Sequence, residues 1–200
     1  PFLSNHDQPR AAGLLRGDVA LCKAAASLYM LTEGVPFIYY GEEIGMRSGT
    51  DDPSKRTPML WKGLDRVGKP KDRLQTTWSD SRYNTKTVPV ADQEKDSGSL
   101  LQYYKRLIRL RIAHPALYAG RFTALGVESD VVCSWQMQSS EETAFVMVNV
   151  SGVASSVTLP DAYKAFEPIF CSDGSASVTE SGVIIPPHGT VVLAGCLAQQ

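Results

Sequence analysis

Phe2-Leu3-Ser4-Asn5-His6-Asp7-Gln8-Pro9-Arg10 stands at the start of the chain, and the fold turns on how this stretch is read. Apolar and small residues lead into the polar trio Asn5, His6 and Asp7, and Pro9 then stops a strand from continuing. The trio therefore falls where a short strand meets a loop, which is where α/β barrels carry their chemistry. An amide, an imidazole and a carboxylate delivered together from a stiff strand end can hydrogen-bond adjacent hydroxyls of a sugar ring. They can equally stabilise positive charge developing nearby. The bland alternative is a polar turn made by Asn-His-Asp-Gln-Pro.

The next segments favour the first reading. Gly17-Asp18 offers an N-cap, and residues 19–32 are rich in Ala, Leu and Met with Lys23 the only charge among their inner positions, so a helix buried on most sides is predicted. Gly34 stops it. Residues 35–40, Val-Pro-Phe-Ile-Tyr-Tyr, form a short apolar and aromatic run ended by Gly41, as expected of a parallel strand covered on both faces. Strand, helix and strand make a βαβ unit. Glu42 and Glu43 follow at the same end of the sheet as Asp7. Neighbours on an extended chain point to opposite faces, so these two carboxylates cannot flank one bond as an acid/base pair and are read as structural, holding loop backbone or an arginine.

Three stretches taken in order carry a family resemblance: Phe2 to Asp7, then Gly34-Val35-Pro36-Phe37-Ile38-Tyr39-Tyr40-Gly41-Glu42-Glu43, then Arg56-Thr57-Pro58-Met59-Leu60-Trp61. Together they resemble the end of the catalytic barrel of the α-amylase superfamily, glycoside hydrolase family thirteen. In that family the first block ends the seventh barrel strand, the second forms the eighth and the third lies in the loop beyond. Leu60 departs from the pattern, since the family commonly has Gln there.

The resemblance implies a fold that is α/β plus all-β: the last strands and helices of a (β/α)8 TIM barrel followed by a small antiparallel β-sandwich. It also implies roles. Asp7 would grip hydroxyls of the distorted sugar and stabilise an oxocarbenium-like transition state, His6 would donate to a neighbouring hydroxyl, and Arg56 would complete the clamp in the subsite just before the cleaved bond. Asn5 joins His6 and Arg56 as a substrate-binding candidate. Retaining cleavage needs a nucleophile and an acid/base about 5 to 5.5 Å apart. In the family these lie after the fourth and fifth strands, upstream of Pro1. The resemblance thus implies the C-terminal part of a retaining, α-amylase-like glycosidase acting on α-1,4-glucosidic bonds of starch or malto-oligosaccharides. The 200-residue chain alone is expected to be inactive without the missing N-terminal part of the barrel. An α-glucosidase or glucosyl-transferase of the same superfamily, and a non-catalytic carbohydrate-binding or scaffolding module, are the alternatives. No cofactor or metal is implied for this segment, and calcium is left open for the complete enzyme.

Residues 47–97 read as loop, with Gly, Pro, Asp, Lys and Thr throughout, and long loops in compact domains are often functional. Arg56 is the anchor within it. Trp61 and Trp78 either stack on sugar rings or pack under the loop. Ser99 to Gln102 is a capping box, and Leu100, Tyr104, Leu107 and Ile108 form the apolar stripe of a helix ending before His114-Pro115. Arg106, Arg109 and Arg111 sit toward its favourable end for cations. His114, before a proline, is assigned no chemistry. Beyond Gly120 the period becomes two. Strands are predicted over 131–137, 143–150, 155–159, 165–170, 182–185 and 190–194, separated by turn clusters, which gives a sandwich. His188 belongs to the Pro-Pro-His-Gly turn. The domains expected are 1–118, barrel, and 119–200, sandwich.

Twenty basic against twenty-one acidic residues, with no Lys/Arg run, leave no electrostatic footprint for nucleic acid or an anionic membrane. A neutral α-glucan suits this balance better. No apolar run approaches the roughly 18 residues of a membrane span, and no signal-peptide core or initiator Met opens the chain, which reads as the back part of something longer. Cys22, Cys133, Cys171 and Cys196 have no metal or redox spacing. Cys22, in an apolar helix, is expected to be free, whereas Cys171 and Cys196 are candidates for a disulfide if the protein is secreted. A polymeric substrate favours a secreted or periplasmic enzyme over a cytoplasmic one.

Overall fold

Asp18 starts the first long helix as its composition predicts. Its carboxylate accepts hydrogen bonds from the backbone N–H groups of Ala20, at 2.9 Å, and Leu21, at 3.2 Å. These satisfy donors that a helix N-terminus leaves open. In this computed structural model, which describes residues 1–62, 82–179 and 182–196, the chain divides into two compact units. One comprises residues 2–22 and 36–105; the other comprises residue 1, residues 23–35 and residues 106–200.

The helices in chain order are α1 (Ala11–Leu14), α2 (Val19–Met30), α3 (Asp52–Lys55), α4 (Val90–Gln93), α5 (Leu100–Ala113) and α6 (Pro115–Ala119). In α2 only the first two residues, Val19 and Ala20, are exposed, in keeping with its nearly all-round apolar surface. The Ser99 cap on α5 is half a capping box. Gln102 N–H donates to Ser99 Oγ, but the Gln102 side chain turns instead to the carbonyl of Glu94. On α5 Leu100, Tyr104 and Leu107 are buried as expected, Ile108 lies at the exposed edge, and Tyr103 and Leu110 join the buried stripe.

The first unit has a small apolar cluster of Ile44, Met46, Leu60 and Leu101. Leu60 is thus a core residue here, which accounts for an apolar side chain at that position. The expected strand at the opening stretch and the one at 35–40 are not strands, since the described residues before 121 contain none. A strand is defined by its ladder, and neither stretch has one. Within this chain Val35 is 70% and Phe37 67% exposed. Residues 47–97 are less uniformly loop than expected. They contain α3, α4 and a 3-10 turn, Arg82–Asn84. Trp78 lies outside the described residues.

The second unit holds two antiparallel sheets. Their strands are β1 (Arg121–Ala124), β2 (Val132–Gln138), β3 (Thr143–Asn149), β4 (Ser155–Thr158), β5 (Glu167–Cys171), β6 (Ser177–Val178), β7 (Gly182–Ile185) and β8 (Thr190–Gly195). One sheet has the order β1-β2-β3-β8-β5, the other β4-β7-β6. Inward residues of both, among them Phe145, Met147, Val157, Val183, Ile185, Val191 and Leu193, form one core. The six predicted strands appear within two residues of their expected ends. β1 and β6 were not foreseen. β1 is exposed at every position, so no alternation marks it, and β6 has only two residues.

All four cysteines are free. A Cys171–Cys196 disulfide is excluded by register. Cys171 pairs with Val191, and Cys196 lies beyond the end of the same strand. Five residues at about 3.3 Å each put it roughly 16 Å along the strand, against a Cα separation of at most about 7 Å for a disulfide.

Candidate active site

The opening stretch is shaped by Asn5. Its side-chain oxygen accepts the backbone N–H groups of Asp7, at 2.9 Å, and Gln8, at 3.0 Å. This is an Asx turn, and it projects His6 and Asp7 outward. Both are exposed, and His6 Nε2 lies 3.2 Å from Asp7 Oδ2. Beneath them Ser4 is buried and donates its hydroxyl to Glu42 Oε2 at 2.8 Å.

The third stretch reaches the same place from about fifty residues away. Asp51 caps α3 by accepting the Ser54 N–H, and the helix ends by presenting Lys55 and Arg56. Arg56 Nη2 donates to Asp7 Oδ1 at 3.1 Å and its Nε to the His6 carbonyl at 3.2 Å. Lys55, buried along its stem, donates its ammonium to the Asp7 carbonyl and to Asp52, each at 3.0 Å. His6, Asp7 and Arg56 are therefore brought together as the sequence predicted, while Asn5 builds the turn that carries them.

Four participants were not foreseen. Asp52 lies 3.5 Å from Arg56 and shares that cation with Asp7. Its carboxylate is held below the usual range, chiefly by the hydrogen bond from Lys55 and then by the charges of Lys55 and Arg56. Lys55 fastens the backbone of Asp7. Tyr39 and Tyr40 fasten the segment that carries Arg56: the Tyr39 hydroxyl donates to the Lys55 carbonyl at 3.1 Å, and Tyr40 to the Thr57 carbonyl at 2.8 Å. Burial pushes the Tyr39 hydroxyl up to about 12. A signal for both tyrosines was present, because a Tyr in a run read from sequence as buried needs a partner for its hydroxyl.

Glu43 takes hydrogen bonds from the loop backbone at Gly41 and at Glu43 itself and lies in the field of Arg10, as expected, whereas Glu42 has different partners. Glu42 is buried and takes hydrogen bonds from Ser4 and from the Tyr104 hydroxyl of α5, the latter at 2.9 Å. Burial raises the pKa of Glu43. Trp61 is half exposed. Among the described residues no group of three or more His, Cys, Asp or Glu side chains is placed to hold a metal ion. No described helix is long and apolar enough to cross a membrane.

Residues 1–120 match the family model for the α-amylase catalytic domain, and residues 132–192 match that for the C-terminal domain of the α-amylase SusG. Alpha-amylase 3 of Dictyoglomus thermophilum is 28% identical over 194 residues, which are 96% of this chain and 38% of the relative. Alpha-amylase SusG of Bacteroides thetaiotaomicron is 38% identical over 168 residues, covering 80% of this chain and 23% of the relative. The crystal structure of an α-amylase from H. orenii superposes with a TM-score of 0.84 at 29% identity, over 98% of this chain and 39% of that one. The chain thus spans less than two fifths of the length of these relatives.

Proposed function

Since this chain belongs to the α-amylase family, we propose that it is the C-terminal part of a retaining α-glucan hydrolase cleaving α-1,4-glucosidic bonds of starch or malto-oligosaccharides. The observation that carries this reading is the Asp7–Arg56–His6 cluster, assembled from two distant stretches at an exposed rim. In our reading Asp7 holds hydroxyls of the distorted sugar and stabilises the positive charge that develops at the anomeric centre. His6 donates to an adjacent hydroxyl, and Arg56 orients the Asp7 carboxylate while reaching the same sugar. Contacts of this kind accelerate the reaction because they strengthen as charge develops.

The nucleophile and the acid/base are not Glu42 and Glu43. Glu42 has Ser4 and Tyr104 on its two oxygens, and adjacent residues cannot flank one glycosidic bond. They belong to the remainder of the barrel, which is also the partner of residues 1–118; residues 119–200 form the sandwich domain. The matched spans support this division. A polymeric substrate further favours a secreted or periplasmic enzyme.

One experiment tests the reading. Malto-oligosaccharide hydrolysis by the enzyme that contains this chain, followed by proton NMR, is expected to release the α-anomer first, as double displacement requires. The 200-residue chain alone is expected to show no turnover above a buffer blank. Initial release of the β-anomer, or turnover by the chain alone, contradicts it.

A further inference from the structure

Arg10 is a cation almost shut off from water, 1% exposed, three positions after Asp7. Its Nη1 donates to the Tyr40 carbonyl, and its planar group lies over both tyrosine rings, 4.6 Å from the centroid of Tyr39 and 4.7 Å from that of Tyr40. Its backbone N–H is fixed by Ser48 Oγ at 2.9 Å. Among the described residues its Nε and Nη2 have no hydrogen-bond partner. Burial lowers its pKa, and Glu43 is the acidic side chain whose field it feels. A guanidinium buried with most of its donors unmet is a poor stabiliser, and an apolar side chain of similar length does as well or better. Stability therefore does not explain an arginine here.

Its neighbours offer another explanation. The two rings beneath Arg10 belong to the tyrosines whose hydroxyls hold the carbonyls on either side of Arg56. Arg56 in turn binds Asp7. The contacts close a ring: Asp7 to Arg10 along the chain, Arg10 to Tyr39 and Tyr40 by stacking, the tyrosines to residues 55 and 57, and Arg56 back to Asp7. A cation over two ring faces fixes the tilt of both at once, and the ring tilt sets where the hydroxyls hold the Arg56 backbone.

The geometry points to Arg10 as a positioning residue that sets Arg56 against Asp7 through Tyr39 and Tyr40, an inference that rests on the reading of Asp7 and Arg56 given above. Arg10 itself touches no substrate. Its effect on the reaction passes through the clamp, so it vanishes when Arg56 is absent.

The test uses the enzyme that contains this chain, with maltotriose as substrate. Arg10→Met is expected to lower kcat/KM about tenfold, with a Tm unchanged or raised, because it removes a buried charge while keeping the volume. Arg10→Lys, which restores the cation, is expected to recover part of that loss. In an Arg56→Ala background, Arg10→Met is expected to cost less than about twofold, the coupling expected of residues that act through one another. Tyr40→Phe, which removes a single hydroxyl, provides the same comparison should Arg10→Met fail to fold, with the same tenfold loss and the same coupling to Arg56. A lowered Tm with full kcat/KM overturns the inference, as does an undiminished tenfold loss in the Arg56→Ala background. Normal kinetics in Arg56→Ala alone instead overturns the clamp reading beneath it.

Discussion

Arg56 spends its donors on two kinds of acceptor, the carboxylate of Asp7 and the carbonyl of His6, and still leaves its side chain 45% exposed. An arginine held this way is oriented without being buried, which suits a group that must also reach a ligand. Arg56→Ala is expected to raise KM and lower kcat together, since a clamp on the sugar binds the ground state and binds the transition state more strongly. Michaelis–Menten kinetics on malto-oligosaccharides check this, and unchanged constants return Arg56 to an ordinary surface charge. At this scale the sequence singled out the residues of the cluster but not what holds them. Asn5, His6, Asp7 and Arg56 stand out because they follow one another ahead of Pro9 or sit in a recognisable block. Asp52, which shares Arg56 with Asp7, and Lys55, which ties down the Asp7 backbone, read as ordinary polar loop residues. Their meaning depends on a chain reversal that composition does not reveal.

At the scale of elements, Arg111 is the instructive case. Its place near the end of α5 suggested a favourable charge at its own helix terminus. It is instead buried and donates to the carbonyls of Met30 and Thr32, each at 2.8 Å, and of Gly34. It thereby satisfies carbonyls that α2 leaves open at its C-terminus. Removing it leaves buried acceptors unpaired. Arg111→Ala is expected to cost about 3 kcal/mol, the size of hydrogen bonds to a charged group. Urea unfolding of the enzyme measures it, and a loss below about 1 kcal/mol contradicts the capping role. The elements themselves were largely legible. α2, α5 and six strands of the sandwich announce themselves by period, caps and turn residues. The stretches at 2–6 and 35–40 did not form strands, because apolar patterning reports which residues favour burial and not which neighbours are present to pair with them. Val35 and Phe37 show this, apolar yet exposed. β1 failed in the other direction, a paired strand with no buried face to mark it. The disulfide failed on register, which sequence spacing does not contain.

At the scale of the whole molecule, the proposed chemistry gives Asp7 the task of stabilising the transition state and needs two further carboxylates. Catalysis is accordingly proposed for the assembled enzyme, with Asp7 acting on the transition state. The most direct test is the pair of constants kcat and KM for Asp7→Asn in the assembled enzyme, a substitution that keeps the shape of the side chain and removes its charge. A fall in kcat of about 10² to 10³ with KM changed much less is expected of this role, as for loss of one preorganised electrostatic contact. A near-normal kcat would contradict it.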